Sequence, residues 1–194
     1  MVAQIANSFQ IRHFVVVQVL IQWGTMPTNI EIKARVRNFS DLKRRAEAIS
    51  DLPLEVIPQE DTFFVTPKGR LKLRVLAPDR AQLVYYQRPD QDGPKRSDYF
   101  IFNTNDPENL KTALKLALGV RGVVKKMRYL YMVGQTRVHL DDVEGLGQFM
   151  ELEVVLRDDQ SDDEGQAIAN DLMKKLGIES TDLIEGAYMD LLEK

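Results

Sequence analysis

Apolar and charged residues alternate strictly along much of this chain, and a period of two marks β-strands. From Ile30, one face carries Ile30, Ile32, Ala34 and Val36, and the other carries Glu31, Lys33, Arg35 and Arg37. Arg70–Leu76 repeats the pattern, with Lys72 and Arg74 set between Leu71, Leu73 and Val75. Val124–Val133 is a further strand with Lys126 and Arg128 on one face. Shorter strands are predicted at Asp61–Val65, Gln82–Gln87 and Ser97–Phe102. Thr136–Leu156 reads as a β-hairpin reversing at Val143–Gly147, where two glycines supply the freedom a turn needs. Its first arm puts Arg137, His139 and Asp141 on one face; its second puts Phe149, Glu151, Glu153 and Val155 on one face.

Helical spacing separates these strands. Ser40 as N-cap and Asp41 in the first turn predict a helix to about Ser50, with Leu42, Ala46 and Ile49 on one stripe. Asp106-Pro107 starts a second helix and Gly119 stops it. Two more close the chain, at about 162–176, stopped by Gly177, and at about 182–193.

About eight strands joined mostly by short turns predict an α+β protein with a mainly antiparallel sheet. The helices need somewhere to pack, and the apolar sheet face is that place. An open sheet would turn the charged face to water; the packing of the helices favours turning it inward, as in a closed β-barrel with helices outside. Its basic members are Lys33, Arg35, Arg37, Lys72, Arg74, Lys126, Arg128 and Arg137; its acidic members are Glu31, Asp141, Glu151 and Glu153. Cations ~4 Å apart repel by a few kcal/mol at an effective dielectric of ~20, so such a cavity needs anionic company. A polyphosphate suits a cavity of this kind. On the hairpin, Asp141, Glu151 and Glu153 lie side by side, and a divalent cation would relieve their repulsion. The hairpin alone leaves a solvated acidic face equally open.

Composition narrows the ligand. With 194 residues and 44% hydrophobic content, the chain can bury a single-domain core. A net charge of −3 argues against general binding to nucleic acid or to anionic membrane. The absence of cysteine excludes disulfides and thiolate chemistry and fits a reducing, cytoplasmic setting. His13 and His139 are the only histidines, so a metal would be held by carboxylates, which suits Mg²⁺ or Mn²⁺. His139 is read as a satisfied structural histidine.

The ordered set resembles the CYTH, or triphosphate tunnel metalloenzyme, superfamily, and within it the class IV adenylyl cyclase type. Asn29-Ile30-Glu31-Ile32-Lys33 is similar to the family's opening E-x-E-x-K strand, with Asn29 replacing the first glutamate. Lys72 with Arg74, and Lys126 with Arg128 in KKMRYLYMVG, look like its two basic pairs; LDDVEGLGQFMELE looks like its acidic hairpin. Gln87 stands where cyclase-type relatives often carry lysine, and Arg88 is expected to face the other way. The resemblance implies an eight-stranded antiparallel tunnel binding ATP, tripolyphosphate or a triphosphate ester, as a monomer or homodimer. It implies metal held by Asp141, Glu151 and Glu153 with Glu31 assisting. Lys33, Arg35, Lys72, Arg74, Lys126, Arg128 and Arg137 would hold phosphates, Lys33 and Arg128 acting in catalysis. Cyclisation of ATP, phosphohydrolysis, and binding without turnover are the implied functions.

Residues 1–25 differ from the rest. Phe14–Ile21 is an apolar run of eight, far short of the roughly 20 residues a membrane span needs. The domain is expected to run from Met26 to Lys194, with residues 1–25 as an extension.

Overall fold

A computed structural model describes residues 26–193; the expected extension over residues 1–25 lies outside them. The chain runs β1 (Thr28–Arg35), α1 (Phe39–Ile49), β2 (Glu55–Phe64), β3 (Arg70–Ala77), β4 (Arg80–Gln87) and β5 (Lys95–Thr104). It continues through α2 (Pro107–Leu118), β6 (Val120–Val133), β7 (Thr136–Val143), β8 (Gly147–Val155), α3 (Asp162–Leu176), a 3₁₀ turn at Ser180–Asp182 and α4 (Tyr188–Leu192). The eight strands close into an antiparallel barrel in the order β1-β5-β4-β3-β2-β6-β7-β8, with β8 returning to β1. This is the α+β barrel that the alternating charge pattern anticipates.

Alternation decides which side of the wall each residue occupies. Ile32 and Ala34 of β1, Val138 and Leu140 of β7, and Met150 and Leu152 of β8 point outward, where Leu42 and Ala46 of α1 and Leu172, Met173 and Leu176 of α3 bury them. Each large aliphatic side chain so buried contributes roughly 1.5–3 kcal/mol. Helix α3 approaches β1 and the end of β8 closely at Gly165, where a Cβ would stand 2.6 Å from side-chain atoms of Ile30 and Leu156. Helix α2 sets Leu110 and Leu114 against Phe64, Leu73 and Ala81 on the opposite side of the barrel.

Strands β5 and β6 run longer than the sequence reading, over Lys95–Thr104 and Val120–Val133, and three other differences have a local cause. Asn38, not Ser40, caps α1, its side chain accepting from the Asp41 amide at 3.0 Å. Strand β2 begins at Glu55 rather than Asp61, because the 14-residue β6 pairs with it from Glu55 opposite Leu130 onward. Pro58, which lacks an amide donor, sits inside that early half and masks it. The expected helix over 182–193 shrinks to α4. Its first residues serve β1 instead: Leu183 bridges Ala34, and the Ile184 amide donates to the Lys33 carbonyl at 3.0 Å.

The C-terminal segment then crosses one end of the barrel. Asp190 accepts from Arg70 of β3 and Arg121 of β6, and the Gly186 carbonyl accepts from Arg88 at the end of β4. Tyr188 and Met189 are thereby buried against Phe63, Val124, Val143 and Phe149. The interior has an apolar floor at that end. Among the described residues, no helix is long and apolar enough to cross a membrane.

Candidate active site

Within the barrel lies a cavity of about 490 Å³. Its wall changes character along the axis. Above the floor, β2, β3 and β6 present Asp61, Lys72, Arg74 and Lys126, and β1 presents Glu31 and Lys33. Toward the open end the inward series turns aliphatic on four strands, at Ile57 of β2, Leu76 of β3, Ile101 of β5 and Leu130 of β6. A charged belt therefore sits between an apolar floor and a collar where these aliphatic side chains share the wall with Glu55, Arg80 and Gln82.

The belt is organised by buried ion pairs. Asp61, 2% exposed, accepts from Lys72 at 2.8 Å and from Arg74 at 2.9 Å. Burial opposes its charge, but Arg74, Lys72 and Lys126 hold the carboxyl well below the usual range. Asp141 accepts from Arg128 at 2.7 and 2.6 Å, from Lys126 at 3.2 Å and from the Tyr188 hydroxyl at 3.0 Å. Glu151 lies 2.5 Å from Lys33 and 2.5 Å from Arg128. Glu153 accepts from Arg137 at 2.7 Å. Burial pushes the Glu31 carboxyl up, and the nearby Glu151 and Glu153 add to it, against Arg88 and Lys33.

Positive charge exceeds negative. Lys33, Lys72, Arg74, Arg88, Lys95, Lys126, Arg128 and Arg137 stand in or against the interior, eight cations facing the five carboxylates of Glu31, Asp61, Asp141, Glu151 and Glu153. Two observations register this excess. Burial, with Arg74 and Lys126 beside it, pulls the Lys72 ammonium down to about 7 despite Asp61. Arg88, its side chain 1% exposed, reaches Glu31 only at 3.5 Å and leaves Nε and Nη1 without a hydrogen-bond partner. Buried guanidinium nitrogens left bare are costly, and an anionic oxygen is the ligand that satisfies them.

The carboxylates on the hairpin meet a third group. In the β7–β8 register His139 lies opposite Glu151 and Arg137 opposite Glu153. The three side chains His139, Glu151 and Glu153 bring one donor atom each within 4.8 Å of one another. Burial, reinforced by Arg128, takes the imidazole down to about 3, so it is neutral at physiological pH. Burial works against ionisation of Glu153, but His139 when protonated, Arg137 and Arg128 hold its carboxyl at about 2. Neutral imidazole and ionised carboxylates are the forms that bind a divalent cation, and the donor set fits one.

The family model for the CYTH domain matches residues 27–188. The chain belongs to the CYTH family. It is 27% identical over 175 residues to adenylate cyclase CyaB of Aeromonas hydrophila, covering 85% of this chain and 88% of that one. The solved PH1012 protein of Pyrococcus horikoshii OT3 superposes with a TM-score of 0.76 at 30% identity, over 84% of this chain and 98% of that one. HpAC1 of Hippeastrum, described as having a dominant triphosphatase activity, shares the fold with a TM-score of 0.57 at 18% identity, over 77% and 88% of the two chains.

The CYTH barrel brings together most of the residues expected at the site. Glu31, Lys33, Lys72, Arg74, Lys126, Arg137, Glu151 and Glu153 all line the cavity. Arg35 does not join them: it is exposed beyond the belt, with its guanidinium 5.2 Å from the Phe149 ring centroid. Arg37 is also outside, paired with Glu179 and Asp182. Asp141 and Arg128 are inward and paired with each other, and Asp141 stands outside the cluster of His139, Glu151 and Glu153. The reading of Arg88 needs correction. Gln82, Val84, Tyr86 and Arg88 form the inward series of β4 and its end, while Gln87 is exposed. Arg88 thus supplies a cation inside the barrel. His139 is not a satisfied structural histidine, since its Nδ1 is buried without a partner.

Asp61, Lys95 and Tyr188 were not anticipated. Lys95 is 1% exposed and donates to the Gln91 carbonyl at 2.5 Å. Tyr188 stacks beneath Lys33, whose Nζ is 3.9 Å from the ring centroid.

Lys72 should make any anion binding in the barrel pH-dependent. A polyphosphate favours the protonated ammonium, so binding should draw in a proton in the window between about 7, where the free protein loses it, and the higher value that the anion imposes. Affinity for tripolyphosphate should fall across that window, by at most about tenfold per pH unit for one group. Calorimetry at pH 8 in two buffers of different ionisation heat should register proton uptake, and Lys72→Met should abolish it. Equal uptake in the variant would assign the proton elsewhere.

Proposed function

We propose that this CYTH chain is a divalent-metal-dependent enzyme acting on an organic triphosphate, and that it converts ATP to cyclic AMP and pyrophosphate. The observation that carries the reading is the excess of buried positive charge in a closed barrel, which a polyanion would neutralise. Lys33, Lys72, Arg74, Lys126 and the bare edge of Arg88 would hold the phosphate chain, and Glu151 and Glu153 would hold the ion. When bound there, a divalent cation neutralises phosphate oxygens and makes phosphorus a better electrophile.

The direction of entry favours attack at the α-phosphorus. With one end crossed by the C-terminal segment, the organic group would rest at the collar of Ile57, Leu76, Ile101 and Leu130. The β- and γ-phosphates would then lie deeper, among Lys33, Lys72 and Lys126. The α-phosphorus would lie nearer the mouth, beside Glu153 and Arg137. The ribose 3′-oxygen forms the new bond to phosphorus, the bond to the β-phosphate bridging oxygen breaks, and the hydroxyl proton leaves to solvent at the mouth. Lys72, kept protonated by the bound polyphosphate, would have a proton to give to the departing pyrophosphate. Positioning and charge stabilisation account for the rest of the catalysis. The similarity to a named adenylate cyclase supports the same reading.

Hydrolysis of a terminal phosphate uses the same belt, since tripolyphosphate needs no collar. Products from ATP with Mg²⁺ or Mn²⁺ discriminate. Cyclic AMP with pyrophosphate is expected; ADP with phosphate, or faster turnover of tripolyphosphate than of ATP, would replace cyclisation with phosphohydrolysis. Tight binding with no product under either metal would leave a binding domain.

A further inference from the structure

His139 holds a position that the cationic belt does not explain. Its imidazole is 4% exposed, and Nδ1 has no hydrogen-bond partner. That nitrogen faces Oε1 of Glu153 at 3.7 Å and Oε2 of Glu151 at 3.9 Å, both too long for hydrogen bonds. The other oxygen of Glu153 is taken by Arg137, and both oxygens of Glu151 already meet cations, Lys33 and Arg128. Nδ1 and Glu153 Oε1 are therefore the two donor atoms left open, and they stand 3.7 Å apart. Ligands bonded to one ion at about 2.1 Å stand roughly 3.0 Å apart when adjacent and 4.2 Å apart when opposed. Separations of 3.7 and 3.9 Å fall inside that interval.

Among the described residues, the side chains close enough to share one ion are His139, Glu151 and Glu153, and the nearby carboxylates Glu31 and Asp141 lie outside that cluster. Asp141 accepts from Arg128, Lys126 and Tyr188. Asn29, where the family motif has its first glutamate, contributes a neutral amide in place of a carboxylate. The cluster therefore offers two carboxylates, and the imidazole adds a nitrogen to them. Imidazole nitrogen is a poor ligand for Mg²⁺, which prefers oxygen and water, and a good one for first-row transition ions.

We propose that His139 Nδ1 is a metal ligand which, with Glu153 and Glu151, forms a mixed nitrogen–oxygen site selecting a first-row transition ion over Mg²⁺. This rests on the reading that the carboxylates hold a divalent ion, and names the ion they hold. The nitrogen can be observed directly in the full-length protein. With Mn²⁺ bound, pulsed electron paramagnetic resonance should show ¹⁴N modulation from a directly coordinated imidazole, lost in His139→Gln. With Co²⁺ as the probe, affinity should exceed that for Mg²⁺ by at least 100-fold, and His139→Gln should lower Co²⁺ affinity at least tenfold while changing Mg²⁺ affinity by less than threefold. Mn²⁺ bound without ¹⁴N modulation in the unsubstituted protein would overturn the assignment of His139 while leaving carboxylate-held metal standing. No bound Mn²⁺ or Co²⁺, even with tripolyphosphate held in the barrel, would overturn both readings together.

Discussion

Asp61→Asn should destabilise the free protein by about 3–5 kcal/mol, the usual consequence of removing one partner from a buried ion pair. Asp61 is the shared anion of Lys72 and Arg74, and its own exposure is 2%. The amide keeps the shape and some hydrogen bonding but leaves two cations uncompensated beside Lys126. The two respond differently. Lys72 already sits at about 7 and can shed its proton, whereas a guanidinium cannot be deprotonated in practice. The loss should therefore be larger at pH 6 than at pH 9. Urea unfolding at the two pH values measures this directly. Tripolyphosphate should restore part of the stability, because it returns negative charge to the same cations and binds only the folded chain. An Asp61→Asn protein as stable as the parent at pH 6 would show that the belt tolerates its positive excess without this carboxylate.

Asp61 also shows where sequence reading stopped. Residues on strands with clean alternation declared their side of the wall: Lys33, Lys72, Arg74, Lys126, Arg137, Glu151 and Glu153 were all legible, because a period of two leaves no other face for them. Asp61 was read as the start of a short strand, since Pro58 interrupts the pattern before it. Its role depends on pairing with β3, which local pattern does not report. Arg88 was misread through a one-residue choice of face on β4. The series Gln82, Val84, Tyr86 and Arg88 was there to be read, but the expectation of a lysine near Gln87 set the wrong phase. Tyr188 lay beyond local reasoning altogether. Its place under Lys33 follows from the C-terminal segment crossing the barrel end, held by Arg70, Arg88 and Arg121. The bare nitrogen of His139 likewise depends on distances between two strands and not on residue type.

Glu151→Gln and Glu153→Gln should both lose activity, but only the first should also lose stability. Each removes a negative oxygen donor from the hairpin, and a loss of electrostatic stabilisation at a reacting phosphate is worth on the order of 10²–10³ in turnover. Glu151, with a side chain 9% exposed, is the buried anion between Lys33 and Arg128, which are 4% and 3% exposed. Its neutralisation leaves Lys33 without a carboxylate at hydrogen-bond distance among the described residues, and should cost about 3–5 kcal/mol. Glu153 is 19% exposed and its partner Arg137 is 30% exposed, near the mouth where water can solvate what remains. Its neutralisation should cost about 1 kcal/mol or less. The mutual repulsion of these carboxylates, apparent from sequence, would have predicted that both variants keep or gain stability. The intervening cations reverse that expectation for Glu151 alone. Thermal unfolding of the two variants side by side, with turnover of ATP measured on the same samples, separates the cases. Equal melting temperatures would show that Lys33 finds other company, and normal turnover in both would remove the hairpin carboxylates from the chemistry.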